Sequence, residues 1–317
     1  MIRFKDIMYE TLVVESAELI KEGGNAITGV DRIELKNIEP TVNQVIKQYI
    51  DPVFPNSSLN QNVFLLGSTG KKESSGDLDL GFDLTFNKEL HDMSIESAVG
   101  QLYDYIKSTS QTEVKINEFT HDMVHFGFPQ YDKKGNLIGK TVQVDILFTV
   151  TPDFCKFYMY SPSQNESSYK GAHRNDLLRA VAKVISFQPI KTDENGNPLT
   201  WIQFDIGSNG LFNCVKTIID EDGNHLKWGN TNEDLEIGYA IDLSKKLISS
   251  DPNDVIKFLI GNYSIKEIDT FEKLLNIIEN DDKFKFHFMK NKILSEAAQL
   301  MHENTRIQFP EEMEKYL

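Results

Sequence analysis

Apolar and polar residues alternate strictly over positions 77–86. Leucine or phenylalanine occupies every second position, and three of the intervening positions are aspartates, Asp77, Asp79 and Asp83. Successive side chains of a β-strand point to opposite faces, so this alternation is typical of a strand with one buried face. The pattern therefore predicts a half-buried strand whose open face is acidic.

The same alternation recurs over residues 142–148. Four apolar residues share one face there, which leaves Asp145 on the other. A shorter apolar run at 63–66 predicts a buried strand that stops at Gly67 and Ser68. We therefore expect several carboxylates on one side of a sheet, close to a glycine-containing loop.

Helices and further strands complete the predicted organisation. Helical spacing of apolar residues predicts helices at 8–20, from Pro40 onward, at 95–106, at 175–185 and over most of 233–304. Alternation and turn residues predict strands at 113–119, 123–128, 201–206 and 211–219, with turns at 132–136, 193–198 and 220–224. The expected fold class is α+β, a mixed or antiparallel sheet flanked by helices and followed by a mostly helical domain with a β-hairpin insertion. The expected domains are 1–160 and 161–317.

The composition excludes several classes of protein. A hydrophobic content of 40% in 317 residues supports a full core, and no apolar run approaches the roughly 18 residues that span a bilayer. The charged start of the chain does not resemble a signal peptide, so a cytoplasmic protein without a membrane partner is expected. The net charge of −15 argues against a protein that coats nucleic acid, because such binding needs many Lys and Arg contacts to phosphates.

The spacing of the first two aspartates suits a metal site. Residues i and i+2 of a strand point to the same face with their Cβ atoms roughly 6 to 7 Å apart, so Asp77 and Asp79 can converge on hard cations. Mg²⁺ prefers carboxylate oxygens, with phosphates and water completing its octahedron. Asp145 can supply a third carboxylate from a second strand, whereas Asp83 lies too far along its strand to reach the same ions.

The loop after the first strand suits an anion. The sequence Gly67-Ser68-Thr69-Gly70 offers backbone N–H groups and two hydroxyls, and we expect a helix to begin there. The segment does not match a P-loop, because both the first glycine of that pattern and the Ser or Thr after its lysine are missing.

These elements together resemble a known superfamily. A strand ending in Gly67-Ser68, then a strand with Asp77 and Asp79, then Asp145 on a later strand resemble the DNA polymerase β-type nucleotidyltransferases. The resemblance covers roughly residues 60–150. The long separation between the second and third aspartates is similar to that in the poly(A) polymerase, CCA-adding and oligoadenylate synthetase branches.

The resemblance implies transfer of a nucleoside monophosphate from an NTP, with ATP favoured, to a hydroxyl acceptor, with release of pyrophosphate. An RNA 3′ end is the first candidate acceptor. Asp77 and Asp79 would hold two Mg²⁺ ions, for which Mn²⁺ can substitute, and Asp145 would complete one ion site and help accept the hydroxyl proton. Gly67 and Ser68 would hold the β- and γ-phosphates.

The most concentrated positive patch of this acidic chain follows the third aspartate. Lys170 and Arg174 are expected to contact the triphosphate, and Tyr169 is expected to stack on a base or sugar. The histidines show no metal-ligand spacing, so His121 and His125 are predicted to lie on the surface or in a hairpin.

Two alternatives stay open at this point. One is adenylylation of a small molecule or a protein side chain, as in toxin-like enzymes. The other is a nucleotide-binding or structural protein that keeps the fold without turnover. The presence of all three aspartates, Asp77, Asp79 and Asp145, argues against this second alternative.

Overall fold

The computed structural model describes most of the chain. The described residues are 26–86, 90, 92–117, 120–163, 165–193, 196–219, 239–284, 287–304 and 308–317. The predicted helix over 8–20 and the predicted turn at 220–224 lie outside these residues.

Strands and helices follow one another as an α+β chain. The described strands are β1 (Ile33–Glu34), β2 (Val63–Leu65), β3 (Ser74–Ser75), β4 (Asp77–Asp83), β5 (Val114–Ile116), β6 (Met123–Tyr131), β7 (Leu137–Thr149), β8 (Gln188–Thr192), β9 (Pro198–Gly207), β10 (Gly210–Ile219) and β11 (Tyr239–Ser249). The described α-helices are α1 (Leu35–Val45), α2 (Ile95–Thr109), α3 (Pro152–Tyr158), α4 (Gly171–Ser186), α5 (Pro252–Leu259), α6 (Phe271–Asn280) and α7 (His287–Glu303). A π-helical turn, Ile46–Ile50, extends α1, and short 3₁₀ turns follow α5, α6 and α7.

The first sheet is mixed and flanked by helices, as expected. Its strand order is β2-β4-β7-β6-β5, and β4 and β7 run parallel while the other neighbours are antiparallel. The alternation in β4 is confirmed, because Leu78, Leu80 and Phe82 are fully buried. They pack with apolar residues of α1 and α2 in one hydrophobic cluster, which leaves the aspartates on the opposite face of the sheet.

Helix α1 differs from its prediction. It begins at Leu35, so Pro40 lies inside the helix and not at its start. An internal proline removes a backbone hydrogen bond, at a cost of roughly 3 kcal/mol. Burial of Ile38, Val42 and Val45 against the sheet offsets this cost.

The C-terminal half contains more β-structure than the sequence pattern indicates. Strands β8 to β11 form a four-stranded antiparallel sheet of order β11-β10-β9-β8, so the expected β-hairpin insertion is a complete sheet. The sequence pattern predicts helix over most of 233–304, a range that includes residues 239–249. They form β11, because pairing with β10 over its whole length outweighs the local helical spacing.

A second large hydrophobic cluster lies in the C-terminal half of the chain. It joins apolar residues of α4, α5, α6 and α7. Phe154 and Phe157 of α3 also belong to it, so α3 packs with the C-terminal helices although it precedes residue 160. The division at residue 160 stays a prediction. None of the helices in the described residues is long and apolar enough to cross a membrane.

Candidate metal centre

Strand pairing brings the three predicted carboxylates together. Strands β4 and β7 are parallel neighbours, and their register sets Asp79 beside Asp145 and Asp77 beside Gln143. One oxygen atom from each of the three aspartates lies within 4.8 Å of the others. The cluster therefore combines residues that are 66 positions apart along the chain, Asp79 to Asp145.

Burial and repulsion disfavour the ionised forms of two of these carboxylates. Burial raises the pKa of Asp77 to about 6, and the charge of Asp145 adds to the shift, whereas the charges of Lys170 and Arg32 lower it. Burial and the charges of Asp77 and Asp145 hold the pKa of Asp79 well above its ordinary value. A cation bound between the three carboxylates would relieve this cost, because it stabilises their ionised forms.

The donor set fits a hard divalent cation. It consists of carboxylate oxygens, which Mg²⁺ and Mn²⁺ both accept. A second group that could hold a metal ion consists of Asp205, Cys214 and Asp242. There the ammonium of Lys216 lies 2.8 Å and 2.9 Å from the two carboxylates and offsets part of their negative charge. Among the described residues, no Lys or Arg forms such an ion pair with Asp77 or Asp79.

Two turns, and not a helix, follow β2. Each turn closes with a backbone hydrogen bond, of which the Lys71 N–H to the Ser68 carbonyl is one, at 3.1 Å. Gly67 and Gly70 have φ angles of +57° and +79°. These angles are incompatible with a right-handed helix, so the expected helix N-terminus at this loop is wrong.

The segment 67–70 is hydrogen-bonded to β4 at Asp79. The Asp79 N–H donates to Thr69 Oγ1 at 3.0 Å, and the Gly67 N–H donates to the Met159 carbonyl at 3.1 Å. The Thr69 hydroxyl oxygen and the Gly67 N–H, which the sequence pattern assigns to a phosphate, thus both have partners within the protein. No hydrogen bond among the described residues engages the Ser68 hydroxyl or N–H, so Ser68 is the part of the turn that can meet a phosphate.

Arg174 does not line the site. Its side chain is fully buried, and Nη2 donates to the carbonyls of Phe157 and Tyr158 at 2.7 Å and 3.0 Å. The guanidinium also lies 5.1 Å from the centre of the Phe157 ring. Arg174 therefore fixes the segment after α3, which pairs with Gly67 through Tyr160, instead of contacting a nucleotide in this conformation.

The two neighbours of Arg174 in the predicted patch differ in position. The charge of Lys170 acts on Asp77 and lowers its pKa, and the predicted contact of Lys170 with a triphosphate stays a prediction. The ring of Tyr169 packs 4.6 Å from that of Phe271, and its hydroxyl donates to Glu312. Tyr169 is therefore part of the C-terminal packing and does not offer a stacking surface beside the aspartates.

Two residues that sequence reasoning missed contact Asp145. His125 lies in the hairpin that β6 forms with β7, as predicted, and its Nδ1 lies 2.8 Å from Asp145 Oδ1, a contact that the sequence pattern does not predict. Gln143 Nε2 lies 2.8 Å and 3.0 Å from the two oxygens of the same carboxylate. Gln143 could have been found from its position two residues before Asp145, which puts both on one face. His125 could not, because its place depends on the register between β6 and β7.

The comparisons with protein families and with curated proteins found no similar protein. No protein-family model matches the chain, and a search of the curated proteins found no match. The chemistry of the site is therefore inferred from its geometry. Three clustered carboxylates, with Gly67 packed against Asp79 and the charge of Lys170 acting on Asp77, can hold a divalent cation.

Substitution of Gly67 by alanine is expected to disturb the metal centre. A Cβ atom at this position would lie 2.4 Å from Asp79 Oδ2. The φ angle of Gly67, +57°, also disfavours residues other than glycine. Gly135 is a matched control, because its φ is +81° and a Cβ atom there meets no atom within 4 Å. We expect Gly135→Ala to cost about 1 kcal/mol and Gly67→Ala to cost more. In thermal unfolding, Gly67→Ala alone should lose stabilisation by Mg²⁺, and equal responses of the two variants would contradict this geometry.

Substitution of Asp77 by asparagine is expected to stabilise the metal-free protein at high pH. The pKa of Asp77 is about 6 in the folded protein and 3.8 in the unfolded chain, so the folded protein binds more protons between these pH values. The stability of the folded state therefore falls as the pH rises through this window. Asp77→Asn removes that loss, and we expect a gain of roughly 1–3 kcal/mol at pH 8 but not at pH 4. Denaturant unfolding in EDTA at both pH values measures it. An unchanged or lower stability at pH 8 would contradict the assigned repulsion.

Proposed function

We propose that this protein is a Mg²⁺-dependent nucleotidyltransferase that transfers a nucleoside monophosphate from an NTP to a hydroxyl acceptor and releases pyrophosphate. The observation that carries the proposal is the clustering of Asp77, Asp79 and Asp145 within 4.8 Å, directly beside the turn at Gly67 and Ser68. A phosphate-binding turn and a carboxylate cluster at one point are what this reaction requires.

The carboxylates would have distinct tasks. Asp77 and Asp79 would hold Mg²⁺, with Mn²⁺ able to substitute, on the side of the triphosphate. Asp145 would hold the ion nearest the acceptor hydroxyl. When bound, the ions supply charge neutralisation of the triphosphate and a lowered pKa of the attacking hydroxyl. The raised pKa of Asp79 supports this assignment, because burial and the charges of Asp77 and Asp145 disfavour its ionised form, which a bound cation would stabilise.

The proton of the acceptor hydroxyl would go to Asp145. Its Oδ1 already contacts both His125 and Gln143, whereas, among the described residues, Oδ2 contacts only Gln143, at 3.0 Å. The hydroxyl oxygen then forms a bond to the α-phosphorus, and the bond between the α-phosphorus and the bridging oxygen to the β-phosphate breaks. The electron pair of that bond leaves with pyrophosphate.

Phosphate contacts would come from the turn and from Lys170, the residue before α4. The Ser68 hydroxyl and N–H would bind the triphosphate, and the ammonium of Lys170 would balance part of its charge. Lys71 shapes the same region: its Nζ donates to the Ser161 carbonyl at 2.8 Å and lies 4.0 Å from the centre of the Tyr160 ring. It joins the turn to the segment that follows α3. Most of the catalytic effect of such a site is positioning and charge neutralisation.

ATP is the favoured donor, and an RNA 3′ end is the first acceptor to test. The acidic chain, with a net charge of −15, requires that an RNA acceptor be bound locally and in a salt-sensitive manner. A protein or small-molecule hydroxyl would serve the same chemistry. The experiment below therefore separates the acceptors by product.

Loss of both β4 aspartates is expected to abolish nucleotidyl transfer. Label transfer from each of the four α-³²P NTPs with Mg²⁺, to total RNA, protein extract and small molecules, measures it. We expect Asp77→Asn with Asp79→Asn to reduce transfer by at least about 10³-fold, because the site then lacks two anionic ligands.

Asp83→Asn is the matched control for this experiment. Asp83 is on the same strand, but its carboxylate accepts hydrogen bonds from Thr85 and is not part of the cluster. We expect its transfer activity to stay within a few-fold of the parent protein. Retained binding of ATP without transfer from any NTP would favour the nucleotide-binding alternative.

A further inference from the structure

Asp145 is held by a chain of hydrogen bonds that begins at the backbone of residues 26 and 27, outside the sheet. The N–H groups of Ala26 and Ile27 both donate to Gln143 Oε1, each at 3.0 Å. The amide nitrogen of the same side chain faces the two Asp145 oxygens at 2.8 Å and 3.0 Å. Gln143 and Asp145 are both buried, with 2% and 8% of their surface exposed.

The orientation of the Gln143 amide follows from this pairing. A backbone N–H can only donate, so the atom that meets two of them must be the amide oxygen. The amide nitrogen is then directed at Asp145, and the carboxylate can only accept from it. Each end of the Gln143 side chain therefore fixes the other, and rotation of the amide would leave the N–H groups of Ala26 and Ile27 without this acceptor and turn the amide oxygen toward the Asp145 carboxylate.

The segment that supplies the two N–H groups crosses the catalytic face of the sheet. We call residues 26–32 the crossing segment. At one end the Lys115 ammonium of β5 donates to the Ala26 carbonyl at 2.8 Å. At the other end the Gln130 amide of β6 donates to the Arg32 carbonyl at 3.1 Å. The segment is thus tied to β5 and β6, and the N–H groups of its first two residues reach Gln143 of β7.

We propose that Gln143 is a positioning residue, which, held by the crossing segment, orients Asp145 to bind the divalent cation. The inference rests on the proposed function only in the identity of Asp145 as a metal ligand. Partners behind a metal ligand typically set metal affinity, and their loss costs about 10- to 100-fold. Asp145 comes from β7, whereas Asp77 and Asp79 come from β4. The proposed metal site therefore needs contacts that orient the Asp145 carboxylate toward the other two.

The test compares two buried glutamines that contact the same segment. Gln143→Met keeps the length of the side chain but removes both ends of its hydrogen bonding. Gln130→Met is the matched control, because Gln130 is 1% exposed and contacts the crossing segment at Arg32 without contacting Asp145. Both variants lose stability, and only Gln143→Met should alter the response to Mg²⁺.

The readout is the Mg²⁺ concentration that gives half of the maximal rise in melting temperature, measured without nucleotide. We expect it to rise by about 10-fold or more in Gln143→Met and to change less than about threefold in Gln130→Met. Where transfer activity is measured, saturating Mg²⁺ should restore kcat, and the KM for the NTP should stay unchanged. A residue that served only the fold would lower kcat at every Mg²⁺ concentration.

A second variant covers the case in which Gln143→Met does not fold. Ala26→Pro removes one of the two N–H donors to Gln143 and leaves the Ile27 donor in place. Its half-saturating Mg²⁺ concentration should increase less than that of Gln143→Met but more than that of Gln130→Met.

The outcomes separate this inference from the proposed function. If Mg²⁺ stabilises the parent protein and both Gln143→Met and Ala26→Pro respond as the parent does, Gln143 does not position Asp145. If Mg²⁺ stabilises the parent and Gln143→Met alters that response, but no NTP is turned over, the positioning role holds and the proposed reaction is wrong. If Mg²⁺ does not stabilise the parent at all, both are overturned.

Discussion

Electrostatic repulsion among three carboxylates is the constraint around which this part of the structure is organised. Asp77, Asp79 and Asp145 bring one oxygen each within 4.8 Å of the others, and burial makes the repulsion costly. The parallel pairing of β4 and β7 imposes this proximity, because its register is set by the apolar residues on the buried face. Core packing on one face thus supplies the free energy that keeps like charges together on the other.

The surrounding contacts act on the same three side chains. The Thr69 hydroxyl accepts from the Asp79 N–H, and the Gly67 backbone passes so close to the Asp79 carboxylate that a side chain would not fit. Gln143 and His125 contact Asp145 from β7 and β6. Rigid strands and donors that point inward pre-organise the cluster, which is the state that a metal-dependent transferase needs before its substrates arrive.

Local patterns in the sequence predicted the parts of the fold that rest on local physics. Alternation identified β4 and β7 and the acidic face, since the strand period and burial decide both. It could not identify β11, because pairing with β10 along the whole strand outweighs the local pattern, which predicts helix there. The positive charge of Arg174 predicts a contact with the nucleotide. Its hydrogen bonds to the Phe157 and Tyr158 carbonyls depend on tertiary packing, which no local pattern shows. The contact of His125 with Asp145 likewise depends on register between strands.

The most direct test is a crystal structure of the protein soaked with Mn²⁺ and a non-hydrolysable ATP analogue, with anomalous diffraction recorded at the manganese edge. The proposed site predicts anomalous density bounded by oxygens of Asp77, Asp79 and Asp145, with the triphosphate extending toward Ser68. Analogue bound elsewhere, or no manganese among the three carboxylates at saturating concentration, would contradict it.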